Sequence, residues 1–144
     1  MFLESAGHEC TDLGPTTYDS QDDYPSLIRP AALAVASSEY DMGIIMGGSG
    51  EGEAMAANRV RGVRCTVYYG PAHAVSSVDA EGTPPQDDFE ILRLSRQHND
   101  ANMLSLAARF LSLQDMQNAV TLWLATPFEG VERHVRRTHL LDES

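Results

Sequence analysis

The sequence predicts an α/β protein built on a parallel sheet. Two observations carry this. Short apolar runs of strand length alternate with stretches whose apolar residues recur at helical spacing. The connections between them are short, apart from a single longer one. At 144 residues and 15.7 kDa the chain suits one domain spanning 1–144, and 42% hydrophobic residues suffice for a core.

Met1 to Ala6 reads as the end of a helix, stopped by Gly7. His8 to Leu13 reads as a short strand, closed by Gly14-Pro15. Thr16 to Pro25 is a polar loop. Ser26 to Tyr40 is Ala-rich and helical, with a start near Pro30 as the alternative. Met42 to Met46 is an apolar run suited to a buried strand. Glu53 to Arg59 follows as helix and Val63 to Tyr69 as strand. Gly70 to Asp88, with Pro71, Gly82, Pro84 and Pro85, reads as an inserted surface loop. Phe89 to His98 is helix and Met103 to Ala107 strand. Ser112 and Asp115 form a capping-box pattern, after which Leu113, Met116, Val120 and Trp123 share a helical face. A last helix covers about 128–140.

The charge balance narrows the function. Ten cations stand against 21 acids, a net −11, and every cation is Arg. An acidic surface does not suit nucleic acid, whose phosphates call for positive charge. Without Lys there is neither a Walker P-loop nor a Schiff base. Two cysteines, Cys10 and Cys65, make no disulfide framework or zinc knuckle. No run has the length of a membrane span, and the first ten residues, with Glu4, His8 and Glu9, do not form a signal peptide. The expectation is a cytoplasmic protein with neither nucleic-acid nor membrane partners.

The segment Gly47-Gly-Ser-Gly-Glu-Gly52 joins a strand to a helix. Backbone N–H groups in such a turn, with the positive helix end, favour anions. It is not a dinucleotide fingerprint: counted from Gly48, the third glycine position holds Glu53. Glu53 falls in the first helical turn, where the dipole favours its charge. Two roles stay open for it, capping and general base beside an oxyanion hole. Glu51 reads as a solvated loop charge. Arg133 and Arg137, spaced i, i+4, occupy one helical face and suit bidentate phosphate contact.

These motifs resemble a known family. The stretch from Gly43 through the glycine turn to Asn58, Arg59, Gly62 and Arg64 is similar to the glycine loop of the ribose-5-phosphate isomerase B family, which includes galactose-6-phosphate isomerases. Ser95-Arg-Gln-His98-Asn99-Asp100-Ala-Asn102 resembles its second signature, and Thr126-Pro-Phe-Glu-Gly130 with Arg133, His134 and Arg137 its third. Asp22-Asp23-Tyr24-Pro25 also fits. The resemblance implies a Rossmann-like three-layer sandwich and metal-free, cofactor-free interconversion of aldose and ketose phosphates. It also implies a homodimer or tetramer whose sites are shared between subunits.

Residue roles follow from the resemblance. One branch of the family places a cysteine base at the position of Gly47; the branch with the form found here uses the glutamate that Glu53 matches. Cys65 is then a small core residue. Ser49 and the N–H groups of Gly48, Gly50 and Gly52 would hold an enediolate. His98 matches the ring-opening histidine, which on its own reads equally as a helix-end residue. Asn99 matches a contact to sugar hydroxyls, and Tyr24 a residue bordering the site. Arg109, Arg133 and Arg137 match phosphate ligands, the last two reaching a neighbouring subunit's site. His73, His134 and His139 receive no role.

The implied substrate is ribose 5-phosphate. A six-carbon aldose phosphate is the alternative, as is a non-catalytic sugar-phosphate-binding subunit. The sequence departs from the family in two places. The family's opening strand and Asp-His pair have no counterpart, which would leave a sheet edge unpaired. The 70–88 loop is longer than the family's; it is expected to border the site and influence substrate choice, with a solvent loop or an oligomer contact as the equal alternative.

Overall fold

The computed structural model describes residues 2–143; Met1, part of the predicted first helix, and Ser144 lie outside the described residues. The elements are α1 (Phe2–Ser5), α2 (Tyr24–Ala36), β1 (Gly43–Gly47), α3 (Glu51–Ala57), β2 (Cys65–Tyr68), α4 (Glu90–Gln97), β3 (Met103–Ala107), α5 (Leu113–Ala125) and α6 (Glu132–Asp142). The strands form one parallel sheet in the order β1-β3-β2. Gly43 and Cys65 both register with Met103.

Side-chain alternation on the strands builds two cores. Ile45 and Met103 point to one face, where α2 and α3 supply Ile28, Ala32, Val35 and Ala57. Leu104, Leu106 and Tyr68 point to the other, against Leu92 of α4 and Val120 and Trp123 of α5. The result is a three-layer α/β sandwich. Every residue of β3 is buried, as its central place requires.

Local chemistry sets the helix limits. Pro25 sits in the first turn of α2, where no N–H is needed, and the helix runs on through Pro30, so the start near Pro30 is not used. Ser38, at φ 60°, marks the chain's turn away after α2. The Ser112 hydroxyl accepts from the Asp115 N–H at 3.1 Å while Asp115 reaches back to the Ser112 N–H at 3.2 Å, completing the capping box. Of the predicted face, Met116, Val120 and Trp123 pack inward, but Leu113, the first residue of α5, is 68% exposed.

Besides α2, which ends at Ala36 rather than Tyr40, two predicted elements differ. His8–Leu13 is irregular rather than a strand. An isolated strand has no ladder to join; among the described residues β1 pairs only with β3, and its outer edge carries no strand. The segment is instead tied by the Tyr40 hydroxyl, which donates to Thr11 Oγ1 at 2.9 Å. The last helix begins at Glu132 rather than near 128, because Gly130 takes φ 66° and Val131 is extended.

Candidate active site

The glycine turn lies at the carboxyl end of the sheet. The Arg109 N–H donates to the Gly48 carbonyl at 3.1 Å and Ala108 N–H to that of Gly47 at 2.9 Å, tying the turn to the end of β3. Gly50 adopts φ 75°, a conformation that costs glycine little, and its carbonyl accepts from the buried Ser105 hydroxyl at 2.7 Å. Ser105 thus holds the turn from beneath. Sequence reading missed it, although one small hydroxyl residue in the apolar run Met103–Ala107 is a visible irregularity.

Around this turn the predicted residues gather closely. A Cβ on Gly47 would collide with the Glu53 carboxylate, so Glu53 fills the space that a side chain at 47 would take. A Cβ on Gly48 would stand 3.0 Å from the Arg109 guanidinium carbon, and one on Gly52 2.7 Å from the Tyr24 hydroxyl. Glu53 is half-buried and Arg109 exposed. Ser49 is exposed, and its hydroxyl accepts from the Glu51 N–H at 3.3 Å. Cys65, on β2, is partly buried, and burial pushes its thiol up to about 12. It is therefore a packing residue, not a nucleophile.

The other predicted residues stand elsewhere. His98 caps the carboxyl end of α4, which leads into the amino end of β3. Asn102 pins that edge, accepting from Arg64 N–H and donating to the Gly62 carbonyl, each at 2.7 Å. The length of β3 alone separates the two ends of the sheet by roughly 13 Å. Within one chain, His98 and Asn99 do not join Glu53, Ser49 and Arg109.

At the amino end His98 meets α6. Its ring lies 4.2 Å from that of His134, centroid to centroid, and the Glu129 carboxylate stands 3.8 Å from His98 Nε2 and 3.9 Å from His134 Nδ1. His98, Arg133, His134 and Arg137 line one side of a pocket of about 230 Å³, and residues 78–80 of the long loop line the other. His134 is buried. Its Nε2 accepts from Arg133 Nε at 3.2 Å, which leaves the proton on Nδ1. Nδ1 has no hydrogen-bond partner.

His98, Glu129 and His134 bring three potential metal donors within 4.8 Å. The donor set fits a cation poorly. A metal needs the Nδ1 lone pair, and Arg133's donation to Nε2 keeps that nitrogen protonated. Desolvation first, and then His98 and Arg133, hold His134 below its usual pKa. Two guanidinium groups, Arg133 and Arg137, facing one pocket suit an oxyanion.

The long loop does not stay at the carboxyl end where it leaves β2. It passes α4, where Asp87 pairs with Arg93, and reaches the pocket beside His98 and α6. Glu81 on this loop forks Arg133, Oε1 to Nη1 at 2.7 Å and Oε2 to Nη2 at 3.0 Å. Glu81 was not singled out by sequence reading, and Glu129 and His134 entered only as members of a motif without a role, because each depends on contacts between distant segments.

A parallel α/β sandwich with a carboxylate held on a glycine turn has its candidate site where such folds bind ligands, at the carboxyl ends of the strands. The comparisons then identify the lineage: the sequence model of the ribose/galactose isomerase family matches residues 1–82 and 86–141, and the chain belongs to that family. Ribose-5-phosphate isomerase B of Escherichia coli is 34% identical over 139 residues, covering 96% of this chain and 80% of that protein. The Mycolicibacterium paratuberculosis enzyme of the same name is 32% identical, covering 98% and 77%. Among solved structures, ribose-5-phosphate isomerase B of Mycoplasma genitalium with bound ribulose-5-phosphate superposes with a TM-score of 0.79 at 32% identity, covering 98% of this chain and 81% of that one. No helix among the described residues is long and apolar enough to cross a membrane.

Proposed function

We propose that this protein interconverts ribose 5-phosphate and ribulose 5-phosphate, with Glu53 as the base. The observation that carries this is the Glu53 carboxylate lying against Gly47 on the glycine turn. The side-chain space at 47 is where a cysteine base would sit in the other branch of the family. Here a carboxylate delivered from one helical turn onward takes the same volume.

In this reading Glu53 removes the C2 proton of the open-chain aldehyde. The electron pair forms the C1–C2 double bond, and charge collects on O1. N–H groups of residues 48–52 and the Ser49 hydroxyl stabilise that oxyanion. Glu53 then returns the proton to C1 while the O2 proton passes to O1, leaving a C1 hydroxyl and a C2 carbonyl, the ketose. His98 opens the ring by proton transfer, Asn99 contacts sugar hydroxyls, and Tyr24 borders the sugar.

The separation of the two clusters supports a site shared between two copies of the chain. One copy contributes the glycine turn, Glu53 and Arg109. The other contributes His98, Asn99, Arg133 and Arg137, the arginines holding the phosphate. The assembly is a homodimer, or a tetramer of paired dimers. The setting is cytoplasmic sugar-phosphate metabolism, and the substrate is a small sugar phosphate.

Proton NMR in D2O follows C2–H exchange and ketose formation from ribose 5-phosphate. Glu53→Gln should cut exchange by at least about 100-fold, the low end of general-base contributions, while leaving the fold intact. Near-normal exchange in that variant would refute the assignment of the base. A preference for a six-carbon aldose phosphate in the same assay would replace the substrate but keep the chemistry.

A further inference from the structure

The 70–88 loop is built as a strap with a closed neck. Ala72 N–H donates to the Asp88 carbonyl at 2.7 Å, and His73 Nδ1 stands 3.1 Å from Asp88 Oδ1. Beside the neck Asp87 forks Arg93 of α4 at 2.6 and 2.7 Å. The tip is a separate turn. Val78 N–H donates to the Thr83 carbonyl at 2.9 Å, and Asp79 Oδ1 accepts from the N–H groups of Glu81 and Thr83 at 3.0 and 2.9 Å. This turn presents Glu81 to Arg133.

Arg133 is thereby contacted on both edges of its guanidinium. Nε is engaged with His134 and one N–H of each Nη with a single carboxylate, so the end-on edge of the guanidinium is taken. A planar fork against two oxygens is also how arginine grips phosphate. The Glu81 carboxylate therefore occupies the position an incoming oxyanion needs. The pair is solvent-facing, with side-chain exposures of 31% for Arg133 and 61% for Glu81. Such pairs are weak and exchange readily.

We infer that Glu81 is a specificity-determining residue, a tethered carboxylate that fills the Arg133 fork until a phosphate dianion displaces it and releases the strap tip. A doubly charged phosphate competes well against one carboxylate, whereas a singly charged sugar acid does not. The strap thus discriminates by the charge of the ligand's anionic group rather than by the sugar. This inference rests on the reading of Arg133 as a phosphate ligand.

Titration of the whole protein with inorganic phosphate, followed by ¹H–¹⁵N NMR, tests both independently of turnover. Glu81→Gln should tighten phosphate binding about two- to fivefold, the range expected for losing an exposed competing pair. The KM for ribose 5-phosphate should fall in the same proportion. Arg133→Ala should weaken phosphate binding, and Glu81→Gln on that background should have no effect. Equal phosphate affinity in the parent and Glu81→Gln, with Arg133→Ala weakened, overturns the strap alone. Unchanged affinity in Arg133→Ala overturns the phosphate role of Arg133 and the strap with it. Glu81→Asp, which shortens the reach but keeps the charge, should fall between the parent and Glu81→Gln.

Discussion

At the scale of single residues, Gly47 and Glu53 are one feature: the glycine is small so that the carboxylate can lie against the turn. Ser105 supports the same feature by holding the Gly50 carbonyl. His134 shows the other side of burial. Its imidazole is held below its usual pKa by desolvation first, then by its neighbours His98, Arg133 and Arg137, against the opposing pull of Glu129. A histidine with a folded pKa below its unfolded value binds protons more readily when unfolded. Its contribution to stability is present above the unfolded value, about 6.5, and is lost as pH falls through the lowered folded value. The melting temperature should therefore drop as pH falls from 7 to 5. His134→Gln should flatten that slope, and a thermal-denaturation series across pH measures it.

Elements show which parts of a motif work and which merely hold. In the segment Ser95–Asn102, His98 and Asn99 are the residues proposed to meet substrate. Arg96 is buried over the Trp123 ring at 5.5 Å and pairs with Asp100 at 2.8 Å. Asp100 also receives Arg64 at 3.1 Å, and Asn102 closes the amino edge of the sheet. Similarly, Asn58 and Cys65 exchange hydrogen bonds of 2.7 and 2.9 Å, with the Asn58 amide pairing the backbone of β2. These polar residues fix where α3 and α4 meet the strands. The α5 capping box acts purely on its helix. Ser112→Ala should destabilise the protein by about 1 kcal/mol, and denaturant unfolding would register the loss.

For the whole molecule, the telling fact is that the two candidate clusters sit at opposite ends of the sheet. If each site draws on two copies, inactive variants should complement one another. Mixing Glu53→Gln with His98→Asn, after subunit exchange, should restore activity towards about a quarter of the parent level, since half the dimers are mixed and each carries one intact site. No restoration after verified exchange would mean that a single chain supplies both residues.

The strands β1, β2 and β3, the helices between them and the α5 cap were all legible, because periodicity and capping are local properties of sequence. The position of Glu53 in the first helical turn was legible for the same reason. His8–Leu13 was misread because a strand's existence depends on a neighbour, which no local pattern reports. The start of α6 was misread because the left-handed Gly130 and extended Val131 delay it.

By itself, then, the sequence determined the alternation of elements, the glycine turn with its acid, and the arginines suited to phosphate. It also carried the family's motifs, in order. The tertiary structure alone decided that His98 and Glu53 lie at opposite ends of the sheet and that His134 is buried with its Nδ1 unpartnered. It alone showed the long loop reaching past α4 to place Glu81 on Arg133. The physical reason is range. Helical and strand periods are written within a few residues, whereas burial, pairing and charge competition arise between segments that only folding brings together.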